Sequence, residues 1–252
     1  MYGQSADHYQ RIACHYDDNW AHSPAYVQWM NHQIAQHLAV TPGDRVADIG
    51  AGTGLFLRSL AARTSATTPI LCLDPCEAML AQLPPDPRLQ PVHANAEDLA
   101  NGSLQLPYEK FDAILLKEVV HHVPDIPATV RGLADRLAPE GRLLVITLPR
   151  NLEYPLFDAA LQRFASRQPH PEAIATAMRN AGLSVEETRH QFTVRVDAAY
   201  YRELVRRRWM SVLDTFSDAE LAAGLEQMRR DHRGEQQLTF NDRFVFLLGR
   251  RI

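Results

Sequence analysis

Residues 46–54 read Val46-Ala47-Asp48-Ile49-Gly50-Ala51-Gly52-Thr53-Gly54, an apolar run with an embedded acid that leads into three alternate glycines. Without Cβ atoms such a turn can take left-handed dihedrals, and a ligand can approach its backbone closely. A dinucleotide fingerprint would require its third glycine at position 55, where Leu55 stands. Asp74 closes the next apolar run, Ile70-Leu71-Cys72-Leu73. It can accept hydrogen bonds from both hydroxyls of a ribose or, with Pro75 following it, cap a helix. Met79 can pack on a base or in the core. Farther along, Glu118, His121 and His122 stand at i, i+3 and i+4, a spacing that puts them on one face of a helical turn. Imidazole is the usual general base near neutral pH, which makes His121 the catalytic candidate. Lys117 can hold a substrate carboxylate or pair with Glu118.

The elements that must position these residues alternate. Strands are expected at Arg45–Ile49, Pro69–Leu73, Leu89–Ala94, Phe111–Leu116 and Arg142–Leu148. Helices at Leu55–Arg63, Glu77–Leu83 and Ile126–Leu137 separate them, with Pro139-Glu140-Gly141 ending the last. Strands that are apolar nearly throughout imply a parallel sheet covered on both faces. Pro171–Ala181 reads as a helix, and Leu183–Val196 and Leu238–Arg250 as two further strands. Residues 5–38 show helical periodicity, and 150–170 and 197–236 read as helical insertions over one end of the sheet. The chain divides accordingly into an N-terminal lid (1–38), a ligand-binding core (39–150) and a C-terminal stretch (151–252) that completes one compact domain.

The 252 residues carry a net charge of −4, which argues against a nucleic-acid binder, and the arginines of the helices expected at 198–213 and 217–232 read as a solvated face. No apolar run is long enough to span a bilayer, and the N-terminus lacks the pattern of a secretory signal. The three cysteines show no metal-ligand spacing and read as reduced thiols in a cytoplasmic protein. No metal site is expected, and the partner is a small molecule acting on a monomer or homodimer.

Taken together, the glycine turn with Asp48, the acid Asp74 and the segment Phe111-Asp112 to His121-His122-Val123-Pro124-Asp125 resemble the class I S-adenosylmethionine-dependent methyltransferases of small molecules. The resemblance covers residues 40–150. It implies an α/β, Rossmann-like, seven-stranded, mostly parallel sheet with an antiparallel last strand and helical caps. It also implies that S-adenosylmethionine is held by Asp48, Gly50, Ala51, Gly52, Thr53, Gly54, Asp74, Pro75 and Met79. After the third strand, similar enzymes place an acid where this chain has Asn95; Asn95, Ala96 and Glu97 are the adenine candidates, and Asp98 a helix cap. The resemblance sets Lys117 and Glu118 beside the methionine moiety and makes His122 structural. In similar enzymes a Tyr-Asp pair like Tyr16-Asp17 lies on a helix that closes over the cofactor, although Tyr16 and Trp20, four apart, also suit a docking face.

The implied reaction is methyl transfer to an oxygen, nitrogen or sulfur nucleophile. An enzyme on the same fold that instead cyclises or cleaves the aminobutyrate arm, releasing methylthioadenosine, fits the same residues, as does a non-catalytic cofactor-binding partner subunit, whereas Leu55 and Asp48 speak against a nicotinamide oxidoreductase. Tyr154, Phe157, Tyr200, Tyr201 and Trp209 could roof the acceptor pocket or pack the cap helices together.

Overall fold

The computed structural model describes residues 8–20 and 23–251, with the side chains of Asn19 and Trp20 outside that description. The parts of the expected lid at 1–7, 21 and 22, and the docking role of Trp20, therefore lie outside the described residues. The N-terminal helices are α1 through residues 8–12, α2 (Tyr16–Trp20) and α3 (Pro24–Leu38). The central elements are β1 (Val46–Ile49), α4 (Arg58–Ala61), β2 (Ile70–Asp74), α5 (Glu77–Leu80), β3 (Leu89–His93), α6 (Ala96–Asn101), β4 (Phe111–Lys117), α7 (Ile126–Asp135) and β5 (Leu137–Thr147). The chain ends with α8 (Asp158–Arg167), α9 (Pro171–Asn180), β6 (Leu183–Asp197), α10 (Ala198–Arg206), α11 (Asp218–Asp231) and β7 (Gln237–Arg251).

Seven strands form one sheet in the order β3-β2-β1-β4-β5-β7-β6. β3, β2, β1, β4 and β5 pair in parallel, whereas β7 runs antiparallel between β5 and β6. Every residue of β1 and β2 is buried, as two helix-covered faces require. The order reverses at β1, so the crevice for a ligand opens at the carboxyl ends of β1, β2 and β4. Two apolar clusters fill the faces. One holds Leu57, Leu60, Cys72, Leu115 and Phe246 with α3, and the other holds Ile49, Leu73, Leu116, Leu133 and Met178.

Three expectations shift. The helix expected over Leu55–Arg63 is α4, only Arg58–Ala61, because Gly54 takes φ +75° and prolongs the turn through Leu57. Pro139-Glu140-Gly141 lies within β5 as an irregularity: Leu137 pairs with Phe111, the register then shifts, and Glu140 takes φ +61°. The helix expected over 198–213 ends at Arg206. Arg208 has φ +57°, and a 3-10 turn, Ser211–Thr215, follows.

Candidate active site

The glycine turn leaves β1 with Gly50, Gly52 and Gly54 at φ +69°, +56° and +75°. Each is left-handed, a region that L side chains enter at a cost of about 1–2 kcal/mol. A Cβ on Gly50 would lie 2.2 Å from Val119 Cγ2, one on Gly52 would lie 3.2 Å from Met79 Cε, and one on Gly54 would lie 2.7 Å from Leu83 Cδ2. The backbone N–H groups of Gly50 and Ala51 both donate to the Leu73 carbonyl (2.7 and 3.0 Å), which ties the turn to the end of β2. Val119, at the head of β4, thus packs directly on the turn.

Asp74 is 8% exposed, and its two oxygens accept from Gly52 N–H (2.9 Å) and Cys76 N–H (2.8 Å). The carboxylate thus ties the glycine turn to the segment that leads into α5, although the N-cap of α5 is Cys76, whose side chain makes no capping bond. Burial raises its pKa, and the two N–H donors act against the rise. Asp48, 5% exposed, is pushed up to about 8 by burial and by Asp74, with Lys117 opposing. The Pro75 carbonyl accepts from His93 (3.0 Å), and Met79 is buried against Cys76 and Ala13.

Asn95 is the N-cap of α6. Its side-chain oxygen accepts from Asp98 N–H (2.9 Å), and Asp98 accepts from Asn95 N–H (3.0 Å). The cap therefore belongs to Asn95, with Asp98 completing the box, a reversal of the expected assignment. Ala96 is buried and Glu97 half-buried in the first turn.

At the end of β4, Lys117 Nζ lies 2.5 Å from Glu118 Oε2 and 4.2 Å from the centre of the Phe56 ring. The pair is nearly buried, with 10% and 12% of the side chains exposed. Glu118 takes φ +56°, a strained conformation for a non-glycine residue. The helical turn begins only at Val120 (3-10, Val120–His122), so Glu118 does not share a face with His121 and His122 as the spacing suggested. It turns back toward Lys117 instead. The rings of His121 and His122 lie against each other with centres 4.0 Å apart, tilted by 48°. Burial lowers them to about 4 and about 3, the second also through His121 and His8, so both rings are neutral at physiological pH.

The N-terminal helices cover this strand end. Tyr9 Oη lies 3.1 Å from His122 Nε2, Tyr9 and Tyr16 meet edge to face, and both rings pack on the Cys76–Met79 wall. Thr53 Oγ1 donates to Asp17 (2.5 Å), which binds α2 to the glycine turn. Asp214 holds the other side through His8 and Arg11 (2.6 Å to the latter), and Tyr200 Oη donates to the Asp18 carbonyl (2.9 Å).

Two features escaped the sequence reading. Asn31, 3% exposed, donates to the Leu55 carbonyl (3.1 Å) and accepts from Ser59 N–H (3.1 Å), pinning the far side of the turn to α3. A polar residue at a position flanked by Met30, Ile34 and Leu38 was the available signal. Asp242 on β7, fully buried, accepts from Tyr26 Oη (2.8 Å) and Tyr154 Oη (2.5 Å). Burial and Glu118 push it up to about 7, against the two tyrosine hydrogen bonds and Lys117. Of the expected pocket aromatics, Tyr154, Phe157, Tyr201 and Trp209 are at most 3% exposed, and Tyr154, Tyr201 and Trp209 pack together. This arrangement favours the packing role, and Tyr200 alone stands out at 44% exposed.

The residues present fit a nucleoside-bearing cofactor. The turn has no Cβ where one would close it against Met79, a buried carboxylate faces the turn from β2, and Tyr9 and Tyr16 pack on the cluster that holds Met79. A model of the methyltransferase-domain family matches residues 26–188. The ubiquinone biosynthesis O-methyltransferase of Acinetobacter baumannii is 26% identical over 75% of this chain and 79% of its own length. Among solved structures, a candidate methyltransferase of an antibiotic biosynthesis pathway in Anabaena variabilis superposes with a TM-score of 0.66 at 19% identity, covering 86% of this chain and 95% of its own. Phosphoethanolamine N-methyltransferase 2 of Haemonchus contortus, in complex with S-adenosylmethionine, superposes at 0.55 and 16% identity, covering 88% and 52%. The last two likenesses concern the fold. The family match spans more than half of the 252 residues, so the chain belongs to the methyltransferase-domain family and is a class I S-adenosylmethionine-dependent methyltransferase.

Proposed function

We propose that the chain methylates a hydroxyl group of a small molecule. The single observation that carries this reading is the Tyr9–His122 contact, which brings the N-terminal helices and the neutral histidine pair to the strand end where the glycine turn meets Val119. Cradle, cover and proton acceptor thus share one place. The sequence relative named above, from Acinetobacter baumannii, is an O-methyltransferase, and an oxygen nucleophile arrives protonated, which gives a neutral imidazole a task.

When bound, S-adenosylmethionine supplies an electrophilic methyl carbon on a sulfonium. Gly50, Ala51, Gly52, Thr53 and Gly54 would hold its methionine part with Lys117 and Glu118 nearby. Asp74 would hold the ribose, and Met79, Asn95, Ala96 and Glu97 the base. Asp48 supports the turn from β1. Tyr9 and Tyr16 exclude water, and an aromatic face beside a cation adds attraction. His121 accepts the acceptor's hydroxyl proton, while His122, held by Tyr9, fixes its neighbour's ring. Most of the rate enhancement comes from alignment, for which about 7–11 kcal/mol is available. On this reading residues 1–38 are the lid, 39–150 the cofactor half, and 151–252 the cap with the rest of the sheet.

Incubation with S-adenosylmethionine and a panel of dihydroxybenzenes, amines and thiols tests the proposal. S-adenosylhomocysteine and a methyl ether are expected with a phenol. Methylation of amines alone would overturn the oxygen assignment. Methylthioadenosine without any methylated product would instead support cleavage of the aminobutyrate arm.

A further inference from the structure

Away from the cradle, His37 in the last turn of α3 faces His190 on β6, with their Nε2 atoms 3.3 Å apart. Thr188, two residues earlier on the same strand face, places its Oγ1 3.0 Å from His37 Nε2 and 3.3 Å from His190 Nε2. The three atoms form a triangle whose edges all suit ligands of one ion. Two imidazole nitrogens at tetrahedral angle, each 2.0–2.1 Å from a zinc ion, lie about 3.3–3.4 Å apart.

The rings are already set for such a role. His37 Nδ1 lies 2.8 Å from the Gln33 carbonyl. A carbonyl only accepts, so Nδ1 carries the proton and Nε2 presents its lone pair to the triangle. This ring-to-carbonyl bond is how proteins commonly orient a metal-binding histidine. The two rings are perpendicular (89°), and both rest against Phe246, at 4.8 and 4.7 Å between centres. All three triangle residues are half-buried, which leaves solvent access for further ligands.

We propose that His37, His190 and Thr188 form a binding site for a borderline divalent cation of the zinc, copper and nickel class, with water completing the shell. Two nitrogen donors select this class over magnesium or calcium, which prefer oxygen shells. Among the described residues no group of three or more His, Cys, Asp or Glu could hold a metal, so this site relies on two imidazoles and a hydroxyl. An ion here joins α3 to the sheet. The same helix holds the glycine turn through Asn31 and reaches Asp242 through Tyr26.

Titration of the metal-stripped full chain with Zn2+ and Cu2+ by calorimetry tests the site. We expect one ion per chain and, at a hundredfold excess over Kd, a rise in Tm of about 5–10 °C. His190→Gln and His37→Gln should each weaken binding at least about tenfold, which is one lost ligand at roughly 1.4 kcal/mol per decade. Circular dichroism checks their folding, and S-adenosylmethionine affinity should stay unchanged. The Cu2+ electron paramagnetic resonance spectrum should show two nitrogen ligands. Equal affinity in the parent and both variants, or no saturable uptake below about 1 mM, would overturn the site and leave the trio joined by hydrogen bonds alone.

Discussion

The Tyr9 hydroxyl lies 3.1 Å from Nε2 of His122, a contact across 113 positions of sequence that ties the first helix to the end of β4. His122 in turn packs against His121, ring centres 4.0 Å apart and tilted by 48°, so the N-terminal segment and the neutral imidazole pair form one unit. Tyr9→Phe should therefore lower turnover about 3–10-fold, the range for one lost hydrogen bond, with S-adenosylmethionine affinity within about twofold. Solvent reaching His121 and His122 should also raise the acid limb of the pH–rate profile from its low starting point. A profile that does not move, with normal turnover, would make the contact purely structural.

At the turn, Gly52→Val should abolish measurable cofactor binding while circular dichroism still shows a folded sheet. The left-handed φ of +56° penalises any side chain, and the space beside Met79 Cε has no room for two methyl groups. Asp74→Asn tests whether the acid binds ribose besides holding the backbone. An amide can accept only one of the two backbone N–H groups, so stability should fall by about 1–3 kcal/mol. If ribose binding is also a role, calorimetric affinity for S-adenosylmethionine should fall at least about tenfold. A stability loss with unchanged affinity would leave Asp74 as an acceptor for the backbone alone.

Asp214 receives both His8 and Arg11 from the N-terminal helix. Asp214→Asn keeps the shape and removes the charge, so hydrogen exchange should quicken over residues 8–20 with the protection of β1 and β4 unchanged. Cofactor affinity should weaken about 3–10-fold, the scale of a charge-assisted bond. Uniform loss of protection across the sheet would mean that Asp214 supports the whole fold and not the cover.

Asp242 and the histidine pair pull stability in opposite directions with pH. The Asp242 carboxyl is raised from 3.8 to about 7 by burial, so its contribution is complete below 3.8 and is lost as pH rises through 7. His121 and His122 are lowered from 6.5, so theirs is complete above 6.5 and is lost as pH falls toward 4 and 3. Asp242→Asn should be less stable than the parent at pH 5 by about 1–3 kcal/mol, because one tyrosine loses its acceptor. The gap should narrow by pH 8, where the parent alone holds a buried charge. Urea midpoints at the two pH values read this directly, and a constant gap would mean that Asp242 does not titrate in that window.

The sequence by itself determined the alternation of buried strands and helices, the glycine turn, the acid that closes β2 and the residues at the head of β4. These are legible because each depends on neighbours within a few positions: apolar periodicity, a missing Cβ, a cap. The late start of α4, the shift inside β5 and the end of α10 at Arg206 were not legible, since Gly54, Glu140 and Arg208 take left-handed dihedrals that propensity alone does not announce. Tertiary structure decided how the site is held. Asn31 on the turn, Tyr9 on His122, Asp17 on Thr53 and the two tyrosines on Asp242 are hydrogen bonds between residues 24 to 216 positions apart. It also decided that Glu118 turns toward Lys117 and away from the histidines, because the strained backbone at φ +56° breaks the helical spacing the sequence suggested. Burial is likewise a property of the folded chain, and it is the largest cause of the raised Asp242 carboxyl and of the lowered histidines.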